Sequence, residues 1–418
     1  MPIADESIIL TWAISLASIL CMLVRPWRIA EAYWPCGGAI LLVIASLISL
    51  REAGHAVERG MDVYLFLAGM MILAELARQE GVFDWVADVA AQHARKSPRR
   101  LFILVYIVGV IVTALLSNDA TAVVLTPAVL AVVRRAEVDP KPYLLACAFI
   151  ANAASFVFPI SNPANLVVFG RQMPPLAMWL RIFLLPSVAS ILLTFLSLRW
   201  ALRKKLRGEM RTEVKRVLLS SQGKLALWGL AISAVVLICS SALGLSLGAP
   251  TCCAAVFAMA VVTWRDRSVP AKVAKGISWS VLPLVAGLFV IVEALQNAGL
   301  LILGLRGLRA LARIPAWIAK ETVAFVIAVL SNGMNNLPAG LTASAAIRQA
   351  QETGVLAHAI MLGVDLGPNL SVTGSLATIL WLIAIRREKV EITAREFFRV
   401  GVVAMPIALI ASLLVLWN

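Results

Sequence analysis

Charged residues make up only 14% of the 418 residues, and no stretch between the apolar segments is long and polar enough for a separate soluble domain. Histidine occurs three times, as His55, His93 and His358, each at a loop or segment edge. That scatter excludes a histidine metal cluster and leaves surface positions as the expectation for all three. The six cysteines, Cys21, Cys36, Cys147, Cys239, Cys252 and Cys253, lie in or beside apolar segments at irregular spacing. Neither a disulfide framework nor a zinc site is spaced that way, so Cys147 and the Cys252-Cys253 pair read as small apolar packing residues. The pattern GxxxxGK[ST] is absent, which excludes an ATPase site of that type, and no nucleophile–base arrangement is visible. Neither an enzyme nor a cofactor is expected. The N-terminus, MPIADES, lacks the basic region and small-residue cleavage site of a signal peptide, so the first apolar segment is expected to stay as a helix.

What is abundant is apolar sequence: 61% of residues are hydrophobic and the mean hydropathy is +0.90. Apolar segments recur at 8–24, 32–50, 61–78, 143–158, 177–198, 225–243, 249–264, 279–296, 358–384 and 398–417. Most approach the ~20 residues that cross a bilayer core. The chain therefore reads as a multi-pass membrane protein. Its formal charge of +14 raises the question of nucleic acid, but the basic residues fall in the gaps between spans, where membrane topology explains them.

The chain also repeats itself. FLAGMMILAELARQEGVF (66–83) aligns with LVAGLFVIVEALQNAGLL (284–301) at an offset of 218, matching Gly69 with Gly287, Glu75 with Glu293 and Gly81 with Gly299. LLSNDATAVVLTP contains Ser117-Asn118, which falls on Ser331-Asn332 of LSNGMNNLPAGL at an offset of 214. After Lys320-Glu321 the apolar run lasts only to Leu330, and Arg348 follows within a dozen residues of the motif. Arms of about ten residues reach roughly half of a ~30 Å core, which predicts a re-entrant hairpin. The segments FPISNPAN and GPNLSVTGS interrupt two further apolar runs and predict broken helices, because irregular backbone at membrane depth survives only inside protein or beside a wet cavity.

The expected fold is thus an all-α integral membrane protein of two inverted repeats, each with about five transmembrane helices, one re-entrant hairpin and one broken helix. Residues 1–200 form the first repeat (hairpin 101–134, broken helix 143–170), 201–223 a basic cytoplasmic linker, and 224–418 the second repeat (hairpin 318–347, broken helix 356–385). The arms of 101–134 are longer than those of its twin, and two full spans are the alternative there. With both termini outside, about 28 of the 37 Lys and Arg collect on the cytoplasmic side, as the positive-inside rule expects. Arg306, Arg309, Arg313 and Lys320 run against that rule, and segment 300–314 reads as a basic interfacial helix whose side chains reach lipid headgroups.

Carboxylates at membrane depth cost something like 2.5–3.5 kcal/mol each and are functional candidates. Four qualify: Glu75, Asp119, Glu293 and Asp365. Asp119 at a hairpin tip is the first candidate for proton coupling and Asp365, just before Gly367-Pro368, the second. A bare helix cap would be filled as well by Ser or Asn, without the insertion cost. Glu75 lies three residues from Arg78, a pairing distance on a helix, so Glu75 and Glu293 read as gating or structural carboxylates. Substrate-binding candidates are the neutral polar groups of the tips and breaks: Ser117, Asn118, Thr121, Ser161, Asn162, Asn165, Ser331, Asn332, Asn335, Asn336, Asn369, Ser371, Thr373 and Ser375. Such groups suit a small polyhydroxyl solute, helped by helix N-termini aimed at the midplane, although some will only satisfy freed backbone groups.

LLSNDATAVVLTPAVLAV together with SNGMNNLPAGL resembles the bacterial arsenite efflux permeases of the ArsB type, within the ion transporter superfamily. The resemblance covers essentially the whole chain. It implies an elevator-like fold and export of arsenite or antimonite driven by the proton gradient across the bacterial inner membrane. It also implies, in some systems, a cytoplasmic arsenite-stimulated ATPase partner. Carboxylate-transporting relatives carry Ser-Asn-Thr at both tips, whereas this chain has Ser117-Asn118-Asp119 and Ser331-Asn332-Gly333, a departure that argues against an anionic substrate. A Na+/H+ antiporter of the same superfamily is the alternative. A docking protein for the ATPase is a further one.

Overall fold

The computed structural model describes residues 2–416 apart from 171–172, 209, 211–217, 312 and 351–353. Along the chain come α1 (Pro2–Val24), α2 (Tyr33–Ile44), α3 (Leu50–Arg59), α4 (Met61–Gln79) and α5 (Val82–His93). Then follow α6 (Pro98–Leu115), α7 (Asn118–Ala120), one π-helical turn (Thr121–Leu125), α8 (Thr126–Arg135), α9 (Lys141–Ala153), α10 (Pro163–Phe169) and α11 (Leu176–Leu202). Part of the expected linker 201–223 lies outside the described residues. Beyond it are α12 (Ser221–Ala242), α13 (Gly248–Thr263), α14 (Val269–Gly276), α15 (Val281–Leu295) and α16 (Leu301–Leu311). The chain closes with α17 (Ala316–Met334), α18 (Asn336–Ala350), α19 (Val355–Leu366), α20 (Leu376–Arg387) and α21 (Ala394–Leu414).

Among the described residues seven helices are long and apolar enough to cross a bilayer, and α3 with α4, bent by 49°, makes an eighth if read as one span. The fold is an all-α integral membrane protein. Its two faces follow from which helix ends meet. At the face richer in Lys and Arg, Arg134 pairs with Glu388 at 2.8 Å, Lys141 with Glu396 at 2.7 Å, and the Met210 amide donates to the Lys96 carbonyl at 3.1 Å. At the opposite face the Gly248 amide donates to Asp62 at 2.9 Å, Arg59 pairs with Glu293, and Lys320 donates to the Leu413 carbonyl at 2.7 Å.

Local sequence sets the corners. Ser49 and Glu52 form a capping box that starts α3, and Thr393 with Glu396 does the same for α21. The chain turns into α5 at Gly81 (φ 71°) and into α16 at Gly299 (φ 96°), backbone conformations that strain other residues. No residue of α16 is buried, which fits a helix lying on the protein's rim. Two crossings are close. Gly69 of α4 lies against the Thr251–Cys252 backbone of α13, and Gly287 of α15 against the Pro35–Cys36 backbone of α2; a Cβ at either would stand 2.7 Å from a carbonyl carbon.

The core runs through α9 and α19. Every residue from Pro142 to Ala153 is buried, as is every residue from Ala357 to Leu366. That corrects the surface reading of His358, which sits one turn into α19 and packs its ring 5.6 Å from Phe183 and 6.5 Å from Phe169. His55 and His93 are exposed. Cys147 is buried in α9, whereas Cys253 is exposed and Cys252 half-buried.

Candidate functional site

α6 leads inward to Leu115, and the chain turns at Ser117, whose extended backbone and side chain, accepting from the Ala120 amide at 3.1 Å, cap the returning helix. The outer ends of α6 and α8 share one level: the Tyr143 hydroxyl donates to the Pro98 carbonyl at 3.0 Å, and Arg135 pairs with Asp88 of α5. Inside the turn the Thr113 and Thr121 hydroxyls are 2.8 Å apart. Asn118 is buried with its Oδ1 unpartnered. Asp119 has no hydrogen bond or ion pair to any described residue and lines a cavity bounded by Met70 and Met71 of α4, Ser117, Pro163, Ile277 and Val281. At about 60 Å³ against the ~10–15 Å³ that admits one water, it has room for a few waters or one small solute. Glu75 closes its far end, bound by Arg78 at 2.5 and 2.7 Å and by Gln79 at 2.7 Å. Gly276 packs on that carboxylate so tightly that a Cβ would collide with it.

The second tip has a different register. Ser331 and Asn332 remain inside the last turn of α17, and the chain reverses four residues later at Asn335 (φ 76°, ψ 153°), whose Oδ1 accepts from the Leu337 amide at 3.3 Å. Asn335 is therefore the counterpart of Ser117, at the same offset of 218 that relates α4 to α15. Asn332 is closed in by partners: its amide donates to the carbonyls of Ala328 (2.7 Å) and Gly367 (2.8 Å), and its Oδ1 accepts from Ser371 at 2.6 Å. Thr373 completes this cluster, 3.0 Å from Ser371 and 3.3 Å from the Asn332 carbonyl. The Asn336 amide N–H donates to the Gly374 carbonyl at 2.8 Å, while its side-chain Oδ1 and the Ser331 hydroxyl are buried without partners.

The two helix breaks meet each other. Asn162 caps α10 through the Ala164 amide (3.0 Å) and donates to Asp365 at 2.7 Å. Asp365 is fully buried, and its second oxygen has no hydrogen-bond partner. Asn152 donates to Asn369 at 3.0 Å and accepts from Ser375 at 3.2 Å, and Asn369 in turn donates to the Phe149 carbonyl at 3.1 Å. Ser161 and Asn165 act on backbone alone: Ser161 donates to the Ala114 carbonyl at 2.9 Å, and Asn165 gathers the carbonyls of Ser155, Phe158 and Pro159.

The structure thus brings Ser117, Asp119 and Glu75 to one cavity, Asn332, Asn335, Ser371 and Thr373 to a second cluster, and Asn162, Asp365, Asn369 and Ser375 to the junction between breaks. Glu293 stands apart, paired with Arg59 at the opposite face. Sequence reasoning missed Asn152, Thr113 and Thr378, the last of which forms with Ser375 the capping box that starts α20. Asn152, an amide isolated in the small-residue run IANAAS, was the visible signal. Chemically the interior offers neutral donors and acceptors, two carboxylates without countercharge, and the N-termini of α10, α18 and α20 with their partial positive charge.

The chain is 27% identical over 413 residues to an arsenical pump membrane protein of Escherichia coli, covering 94% of this chain and 95% of that protein. It is 26% identical over 430 residues to an uncharacterized transporter of Mycobacterium tuberculosis, covering 95% of each. Its fold is similar to that of the YdaH transporter of Alcanivorax borkumensis, with a TM-score of 0.56 over 87% of this chain and 86% of that one, at 14% identity. A profile described as citrate transporter matches residues 19–367. With most of its length inside that match, the chain belongs to the citrate transporter (CitMHS) family of membrane transporters.

Proposed function

We propose that this protein is a secondary active transporter that exports arsenite, and also antimonite, from the cytoplasm in exchange for protons by elevator-like alternating access. The observation that carries this reading is Asp119: a carboxylate at a helix turn, without a partner among the described residues, facing a small cavity whose other carboxylate, Glu75, is already paired with Arg78. Arsenite near neutral pH is an uncharged trihydroxide. Membrane voltage does no work on a neutral solute, so uphill export needs a coupled charge, and a carboxylate that binds and releases a proton supplies one. A citrate-like anion would instead meet Asp119 as a like charge. The relatives named as arsenical pump membrane proteins support the substrate class.

In this mechanism Asp119 carries the coupling proton and Asp365 is the second such group. Ser117, Asn118, Asn336 and Ser331 contribute hydrogen bonds to the solute. Glu75 and Glu293 hold helix ends in place. The two halves are inverted repeats, a reading supported by the reciprocal packing of α4 on α13 and α15 on α2, and both tips are re-entrant hairpins. The basic face is cytoplasmic, which places both termini outside the inner membrane. A cytoplasmic ATPase is an accessory partner.

The test is arsenite uptake into everted membrane vesicles under an imposed pH gradient, wild type against Asp119→Asn. Loss of only the proton-driven component in the variant supports the proposal. Exchange of Na+ for H+ by wild type, with no movement of arsenite, replaces it with the antiporter reading.

A further inference from the structure

Three arginines recur every fourth residue where α11 ends, Arg199, Arg203 and Arg207, and a fourth, Arg99, opens α6. These helix ends do not close on each other. Phe195 is wedged between them, its ring 6.0 Å from Phe102 and 5.1 Å from Tyr106, and the Tyr106 hydroxyl donates to the Ile191 carbonyl at 2.7 Å. Beyond the wedge lies a cavity of about 370 Å³, within the ~300–1,000 Å³ of small-molecule sites, lined by the four arginines, Trp200 and Leu196 among others. None of the four arginines has an acidic partner among the described residues. Four like charges around one pocket repel unless an anion sits among them. The N-terminus of the 18-residue α6 adds its own partial positive charge at this level.

The apolar surroundings say what kind of anion. The outward sides of the two helices continue from the pocket toward the membrane centre as exposed apolar residues: Ile107 and Ile111 on α6, Leu192 and Leu196 on α11, each about half exposed. Trp200 stands at the rim with Arg203 over its ring, 5.6 Å from the centroid, the arrangement of an aromatic at headgroup depth. A water-soluble phosphate would use the arginines and leave the apolar ladder idle. We propose that this pocket binds an anionic phospholipid, its phosphodiester held by Arg99, Arg199, Arg203 and Arg207 and its acyl chains lying along the α6–α11 groove.

The experiment is native mass spectrometry of the full-length protein in detergent with added phosphatidylglycerol, phosphatidylcholine or inorganic phosphate. Wild type is expected to retain phosphatidylglycerol at least ten-fold better than phosphatidylcholine, and Arg199→Gln/Arg203→Gln to lose that preference. Arg306→Gln/Arg309→Gln on the opposite face is expected to keep it. Equal retention of both lipids by wild type, equal loss in both double variants, or displacement of the lipid by inorganic phosphate overturns the proposal. Photocrosslinking of wild type with a diazirine-tailed phosphatidylglycerol needs no variant: labels within 103–111 and 188–200 support the site, and labels confined elsewhere overturn it.

Discussion

The two tips share a Ser-Asn pair in sequence but differ in how they spend their polar groups. At the first, Ser117 caps, Asn118 is left partly unsatisfied, and Asp119 faces a cavity with no partner. At the second, Asn332, Ser371 and Thr373 satisfy one another and the broken backbone, and the strain of the turn rests on Asn335. A buried network with its bonds made stiffens a structure, whereas unpaired groups beside a cavity are free to take a ligand or a proton. On the proposed mechanism the first tip carries the proton, while the second, apart from the unpaired Ser331 and Asn336 groups, spends its polar atoms on its own backbone.

The largest effect should come from Asp119. Asp119→Asn is expected to lower proton-driven arsenite accumulation in vesicles at least ten-fold while leaving the purified protein's unfolding temperature unchanged. A loss of stability equal to the loss of transport would assign Asp119 a structural role and erase the contrast between tips. Asn332→Ala should do the reverse, strand the Gly367 carbonyl, leave the Ser371 hydroxyl with Thr373 alone, and cost about 1–3 kcal/mol in thermal unfolding. Asn118→Ala, at the position that matches Asn332 in sequence though not in register, should cost less than that, because Asn118 Oδ1 has no bond to lose.

Asn335 occupies a region of backbone space used almost only by glycine, at a cost of order 1–3 kcal/mol. Asn335→Gly should therefore unfold at or above the wild-type temperature and Asn335→Ala below it; a glycine variant below wild type would mean that the side-chain bond to Leu337 outweighs the strain, and an alanine variant above the glycine one would refute the strain. The smallest effect belongs to the foot of the first broken helix, where Lys141 at the start of α9 holds the Glu396 carboxyl at about 2, below its ordinary value. A depressed carboxylate contributes fully above its unfolded value and loses the contribution as pH falls through about 2. Lys141→Gln should thus shift stability by well under ~1 kcal/mol at pH 7, with the difference from wild type vanishing in strong acid. A larger shift would move weight from the tips to the membrane surface.

Much of this was legible in the chain. Apolar runs mark the spans, FPISNPAN and GPNLSVTGS mark the breaks, and the three-residue spacing of Glu75 and Arg78 anticipates the ion pair between them. The register of the second tip was not legible. The identity of Ser117-Asn118 with Ser331-Asn332 outweighs, on paper, the helix count, and only the backbone shows that the turn waits one helical turn longer. The Asn162–Asp365 and Asn152–Asn369 bonds were hidden for another reason: each joins residues more than two hundred positions apart, and no local pattern encodes such a contact. His358 misled because a position near a helix start says nothing about which neighbours will cover it.

The two glycine crossings also bear on how the molecule is made. α4 is complete at residue 79, yet the helix its Gly69 rests on ends at residue 263; α2 likewise waits for α15. A growing chain must therefore hold the first half in the bilayer with its most intimate contact surfaces bare until the second half arrives. Neither half is a finished object alone, and two fragments cut in the 201–223 region should be degraded when made singly yet recover each other when made together.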